Sequence, residues 1–205
     1  MTKGAQTREM ILARTAPLFN RMGYFGASLA DIMRATGLEK GGIYNHFASK
    51  DDLALAAFDY SVGLVRQRFA EALAGKRHAA ERLRAIIGVL RDMVVNPPVS
   101  GGCPLLNTAI EADDAHPALR ARARATMDEW CEMVQRIVAK GVERGELRAG
   151  TDPAAVATML LATLEGAIMI SRLYDDARHL AYVEQHLDWY IDGLLAPSDV
   201  PATAD

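Results

Sequence analysis

The chain is predicted to be all-α, an N-terminal three-helix helix-turn-helix module joined to a larger C-terminal helical domain, with about nine helices in total. Three observations predict this. Apolar residues recur at three- and four-residue spacing, and no strand-like alternation is sustained anywhere. Helix-starting residues (Ser28, Ser49, Pro104, Pro117, Pro153) and helix-ending glycines (Gly23, Gly37, Gly75, Gly145) punctuate the chain at helical lengths. Half of the 205 residues are apolar, enough for a substantial buried core, which excludes disorder as an overall reading.

The first helix is expected over about 6–22, with Ile11, Leu12, Leu18, Phe19 and Met22 inward and Arg8, Arg14 and Arg21 outward. Gly23-Tyr24 ends it. Ser28 then caps a short helix, and Asp31 reaches back to it in a capping box. Leu29, Ile32 and Met33 form one apolar stripe over two turns, and Gly37 supplies the positive φ that stops the helix. The next helix resumes at Glu39 and is short, polar and glycine-rich, anchored only by Ile43 and Phe47. Such a helix holds itself together poorly but suits close approach to another surface. A helix-turn-helix whose second helix enters a DNA major groove fits that description. Ser49 and Asp52 make a second capping box at the start of a long helix, 49–74, whose inward positions include Leu53, Ala57, Leu64 and Phe69.

Beyond Gly75 a helix is expected over 78–95 through Leu83, Ile86, Ile87 and Leu90. Asn96-Pro-Pro-Val-Ser-Gly-Gly102 is the clearest loop in the chain. Pro104 sits at the first position of a short helix to Glu111, and Pro117 begins a long helix to about Val142. Residues 154–174 form a helix apolar almost all round, and 182–195 close the fold, leaving 197–205 as a frayed tail. The domains are therefore drawn as 1–52 and 53–196.

The net charge of −3 is unevenly divided. Residues 1–50 hold seven Lys/Arg against three Asp/Glu, whereas the other 155 hold sixteen against twenty-three. A +4 module on a −7 body is the electrostatic footprint of local nucleic-acid binding. Cys103 and Cys131 make no disulfide framework, and the N-terminus lacks the apolar core of a signal peptide, so a reducing cytoplasm is the expected home. Residues 153–171 are the only candidate membrane span, but Glu165 near the middle argues for a buried helix and no membrane partner. The five histidines show no metal-ligand spacing, no cofactor motif is present, and no G-x-S-x-G, P-loop or dinucleotide pattern marks an enzyme.

The spaced residues Arg8, Ile11-Leu12, Ala16, Phe19, Gly23-Tyr24, Ser28-Leu29, Asp31-Ile32, Gly37, Lys40-Gly41, Ile43-Tyr44, His46-Phe47, Lys50 and Leu53 resemble the N-terminal domain of TetR-family transcriptional regulators. The resemblance covers roughly the first quarter of the chain. Two positions depart from the family pattern: Glu39 replaces a small hydroxyl residue, and Gly42 a side chain that often helps read bases. The resemblance implies a homodimer on a palindromic double-stranded operator, a C-terminal domain that dimerises and binds a small-molecule effector, and most often repression.

Within the module, Ser28 is expected at a phosphate, and Lys40 at a phosphate or a guanine edge. Gly41 and Gly42 let the backbone come close to the sugar-phosphate wall or a thymine methyl. Asn45 offers the paired amide contact to adenine. Lys50 adds charge beside exposed N–H groups at a helix start. By resemblance, Tyr44 and His46 are phosphate contacts. Each residue also has a plain reading: a cap for Ser28, solvated charges for Lys40 and Lys50, partial core for Tyr44.

In the C-terminal part, the small residues Thr158, Ala162 and Gly166, with Leu187, Tyr190, Ile191 and Leu194, are expected to form a two-fold four-helix interface, or else a larger internal core. Met93, Leu106, Ile110, Met127, Trp130, Val134, Met159 and Leu164 are expected to line an adaptable apolar effector pocket, or simply to be core. Asn107, Thr163 and Glu165 are the polar groups that would orient a ligand there. Glu165 reads equally as an outward or interface charge. Cys103 begins a stretch resembling a subset of TetR-like regulators, some of which sense electrophiles through that cysteine. A thiol at a helix N-terminus favours the thiolate, whereas most cysteines are buried fillers. A non-specific architectural DNA binder is the competing function.

Overall fold

The computed structural model describes residues 2–197, and nine helices fill them without a strand. They are α1 (Lys3–Gly26), α2 (Leu29–Thr36), α3 (Lys40–Tyr44), α4 (Lys50–Leu73), α5 (Ala79–Val95), α6 (Pro104–Ala112), α7 (Pro117–Glu143), α8 (Pro153–Leu173) and α9 (Arg178–Leu194). Residues 198–205, most of the expected tail, lie outside the described part.

The boundaries follow from their caps. Thr2 Oγ1 accepts from the Ala5 N–H, so α1 begins three residues earlier than its apolar pattern. Its regular turns end at Gly23, which has φ +75°, before one last turn to Gly26. Both reciprocal bonds of the Ser28–Asp31 box are present. At α4 only half of the second box forms: Ser49 Oγ accepts from Asp52 N–H, and the Asp52 carboxylate takes the Ala48 N–H instead. The last helix starts at Arg178 rather than near Tyr182, because the Asp176 carboxylate accepts from the Arg178 N–H and from its guanidinium. Met22, expected inward on α1, is exposed.

Two apolar cores result. The first gathers Ile11, Leu12, Ala16, Ile32, Ile43, Phe47, Leu53 and Ala57 from α1 to α4. The second runs from Phe58, Val62, Val65 and Phe69 of the same α4 through α5, α7, α8 and α9. One unbroken helix thus belongs to both, its first turns to the module and its later turns to the body. Beyond α7, the Arg148 N–H donates to Leu194 O at 2.9 Å, fastening the end of α9 to the turn before α8.

A strap also ties module to body. The loop at 96–102 does not simply span α5 and α6, because Val99 is buried in the module's core. Asn20 Nδ2 on α1 donates to Ser100 O at 3.2 Å and Gly102 O at 3.0 Å. Gly101 has φ +119°, and a β-carbon there would lie 2.9 Å from Asn20 backbone atoms. Gly101→Ala should therefore cost at least about 2 kcal/mol, strain and overpacking acting together. Thermal melts of wild type and variant check this, and equal melting would show that the strap yields freely.

Candidate nucleic-acid interface

The turn that aims α3 is fixed by short-range bonds. Gly37 ends α2 at φ 71°, its N–H donating to Met33 O at 2.8 Å, while Arg14 Nη1 on α1 donates to Thr36 O at 3.1 Å. Helix α3 has only five residues, and Glu39 gives its N-terminus no side-chain cap. Its stability comes from Ile43 and Phe47, both 1% exposed in the module's core.

That anchoring presents the opposite face outward. Lys40, Gly41, Asn45 and Ser28 are exposed, and Gly42, Tyr44, His46 and Lys50 are half-buried beside them. None of the eight expected residues is buried. The Lys40 ammonium stands 5.9 Å from the Tyr44 ring centroid, and the Arg8 guanidinium 4.8 Å from that of Phe47. Arg8, an outward charge on α1 and part of the TetR-like pattern, lies against Phe47 in the turn after α3, a contact that spacing cannot show. Lys50 is less free than expected, because its ammonium lies 4.5 Å over the Tyr24 ring.

Gly41 has no structural reason within the chain. A β-carbon there would meet nothing within 4 Å, and at Gly42 it would only touch Leu38 at an ordinary 3.5 Å. Neither has positive φ. Each glycine costs a short helix about 1 kcal/mol relative to alanine. Two adjacent small residues on an exposed helix face leave room for something outside the chain to approach the backbone.

Residues 11–57 match the model of the bacterial regulatory proteins of the tetR family, and 79–187 that of the tetracyclin repressor-like C-terminal domain. The chain belongs to the TetR family. A TetR transcriptional regulator from Chloroflexus aurantiacus J-10-FL is 49% identical, with 95% of this chain and 98% of that one covered at a TM-score of 0.92. A TetR-family regulator from Cytophaga hutchinsonii is 37% identical, covering 97% and 99% of the two chains at a TM-score of 0.88. The HTH-type transcriptional repressor DhaR of Mycobacterium sp. (strain GP1) is 26% identical over 207 residues, 94% of each chain. This TetR-family chain is accordingly a helix-turn-helix DNA-binding regulator, and α3 is the second helix of that motif.

The expected effector residues of this regulator divide. Met93, Cys103, Trp130, Val134 and Leu164 are buried in the body core, with Leu106 and Met127 packed against it. Ile110 and Met159, 61% and 55% exposed, do not line an interior pocket. Thr163 is half-buried, and its hydroxyl donates to Met159 O on its own helix. Asn107 points to the module instead: its Nδ2 donates to Asn20 O, Asn20 Oδ1 and Gly101 O at 3.0, 2.9 and 2.8 Å. No local signal marks that role, since Asn20 lies 87 residues away in the chain.

Glu165 is neither outward nor at an interface; it is buried and faces Cys103, whose Sγ donates to Oε1 at 3.1 Å. Of the two readings of Cys103, a thiolate at a helix start and a buried filler, the site supports the second, with Cys103 fully buried. Burial, then the charge of Glu165, pushes the Cys103 thiol well above its ordinary pKa, outweighing the N–H groups of Leu106 and Leu105. Glu165 Oε2 and Trp130 Nε1 have no partner among the described residues. No group of metal-ligating residues occurs among them either.

Burial raises the Glu165 carboxyl from 4.5 to about 7, the Cys103 hydrogen bond offsetting part of the rise. A raised carboxyl pKa makes the native state bind the extra proton, so the contribution of this group to stability is fully present below 4.5 and is lost as pH rises to about 7. Above that, an ionised carboxylate stays in the core at a cost on the order of 3 kcal/mol. Glu165→Gln should melt higher than wild type at pH 8 and lack this part of the pH slope. Parallel melting curves for the two proteins between pH 4 and 8 would refute the assignment.

Proposed function

We propose that the protein is a cytoplasmic homodimeric repressor that holds a palindromic operator with α3 from each protomer and releases it when a small molecule binds the body. The observation that carries the DNA half is the exposed α3 surface, where Lys40 and Asn45 flank two glycines that serve no packing need. Lys40, Ser28, Tyr44 and His46 contact phosphates and fix register, while Asn45 reads a base edge. Lys50 and Arg8 add charge at the edges. The drawn domains, 1–52 and 53–196, share α4 as their common lever.

The dimer rests on one uncovered apolar face. On α8 Thr158, Met159, Ala162, Met169, Ile170 and Leu173 are exposed at helical spacing, and on α9 Tyr182 and Trp189. The face on α9 differs from the expected one: Leu187 and Ile191 are buried within the protomer, and Tyr190 and Leu194 pack on its core. An apolar surface of this extent on two adjacent helices marks an association site. The two-fold partner then presents a second recognition helix to the second half-site. The effector would bind in the body core, where Glu165 Oε2, Trp130 Nε1 and Ser171 Oγ are buried polar atoms without a partner among the described residues. The ligand acts only through its different affinity for the operator-bound and released states.

Selection from random duplex DNA tests this reading, with a palindromic consensus as the expected result. Bound DNA without a consensus, with steep salt dependence, would indicate an architectural binder instead. Gly41→Ala gives a sharper check. It should stabilise the free protein by about 1 kcal/mol and yet weaken binding to the selected sequence. A variant that is more stable and binds equally well would show that nothing approaches α3 there. Trp189→Asp should yield a monomer in ultracentrifugation, and an unaltered dimer would place the interface elsewhere.

A further inference from the structure

A cleft of about 360 Å³ lies at the turn between α4 and α5 and the last turns of α7, away from every residue assigned above. Six cations line it: Lys76, Arg77 and Arg82 from the turn and α5, and Arg136, Lys140 and Arg144 from α7. Glu146 is the one acidic residue in the lining, and it is engaged: its Oε2 accepts from the Ala79 N–H at 2.7 Å, and Arg144 lies 3.7 Å from its Oε1. Arg136 is paired with Glu132, one turn back on its own helix. Among the described residues Lys76, Arg77, Arg82 and Lys140 face no carboxylate within ion-pair distance, and Arg82 donates only to the Lys76 carbonyl.

This concentration runs against its surroundings. Residues 51–205 carry net −7, yet the cleft holds six cations against one carboxylate. Like charges held around one concavity repel, and a bound anion relieves that repulsion. The recognition surface does not explain it. The module packs on the first turns of α4 and the cleft follows its last, about 36 Å along a 24-residue helix. The site is also concave and of small-molecule size.

We propose that this cleft binds a small anionic ligand bearing two or more phosphoryl groups, gripped at once by the α4–α5 turn and by α7. Arginines on both walls suit forked contacts to phosphate oxygens, and the lysines supply point charges between them. The inference does not depend on the operator reading, since its site and its assay involve no DNA.

Calorimetric titration of the full chain with inorganic tripolyphosphate, at ionic strength matched with sodium chloride, tests it. Tripolyphosphate should bind at least about 10-fold more tightly than orthophosphate, because its linked phosphoryl groups can engage both walls at once. Arg136→Gln/Lys140→Gln on one wall and Lys76→Gln/Arg77→Gln on the other should each weaken tripolyphosphate binding about 10-fold or more. All four side chains are exposed, so both variants keep the fold. Lys40→Gln on α3 should leave the affinity unchanged. Absence of heat at matched ionic strength, equal affinity for the two anions, undiminished binding by both double variants, or loss of binding in Lys40→Gln would each overturn the proposal.

Discussion

The Glu111 carboxylate at the end of α6 grips the break in α1. Its Oε2 accepts from the Tyr24 N–H at 2.8 Å and its Oε1 from the Phe25 N–H at 3.0 Å. Those two N–H groups are left over where Gly23 interrupts the helix, and a carboxylate accepting both is a charge-assisted pair. Around it Tyr24 donates its hydroxyl to Asp51 on α4, a bond that with burial raises the phenol to about 12. The Tyr24 ring also stands edge-on to His116, which caps α7. Three elements of the body and linker thus converge on one turn of the DNA module. A gap of only about 30 Å³ remains beside Tyr24 and Glu111.

The recognition helix depends on that grip because it has so little hold of its own. With five residues and no side-chain cap, α3 is positioned by Ile43, Phe47 and the α2 turn, and those are positioned by α1. Moving α6 relative to the body therefore moves the frame in which α3 sits. Cys103 and Glu165 lie at the other end of the same short helix α6, linking it to the apolar centre of α8. A ligand competing for Glu165 would act on α6 at its N-terminus, and the module would receive the change through Glu111 at its C-terminus.

What the sequence made legible was whatever local periodicity and capping determine. The nine helices, the Ser28–Asp31 box, the Gly37 stop and the outward α3 residues all follow from spacing within a few turns. Contacts between distant segments were not legible. Nothing local distinguishes a loop valine as module core, yet Val99 is one; nothing local turns Asn107 toward Asn20, 87 residues away. The sequence left the α9 face open between an interface and an internal core for a related reason. Leu187 and Ile191 are apolar enough for an interface, but which stripe of a helix faces its own core depends on the partners, α8 and α5. Cys103 shows the same limit in electrostatics, since a helix start favours a thiolate only where burial and Glu165 do not oppose it.

The most direct test of the account is the operator affinity of Glu111→Gln, measured on the selected duplex beside wild type. A glutamine keeps the size but loses the charge and one acceptor, so a backbone N–H at the α1 break loses its partner, at a cost of about 1–3 kcal/mol. If Glu111 sets the pose of the module, operator affinity should fall about 10-fold or more while the dimer stays intact. Unchanged affinity in an intact dimer would contradict the claim that the body governs the recognition helix through this junction.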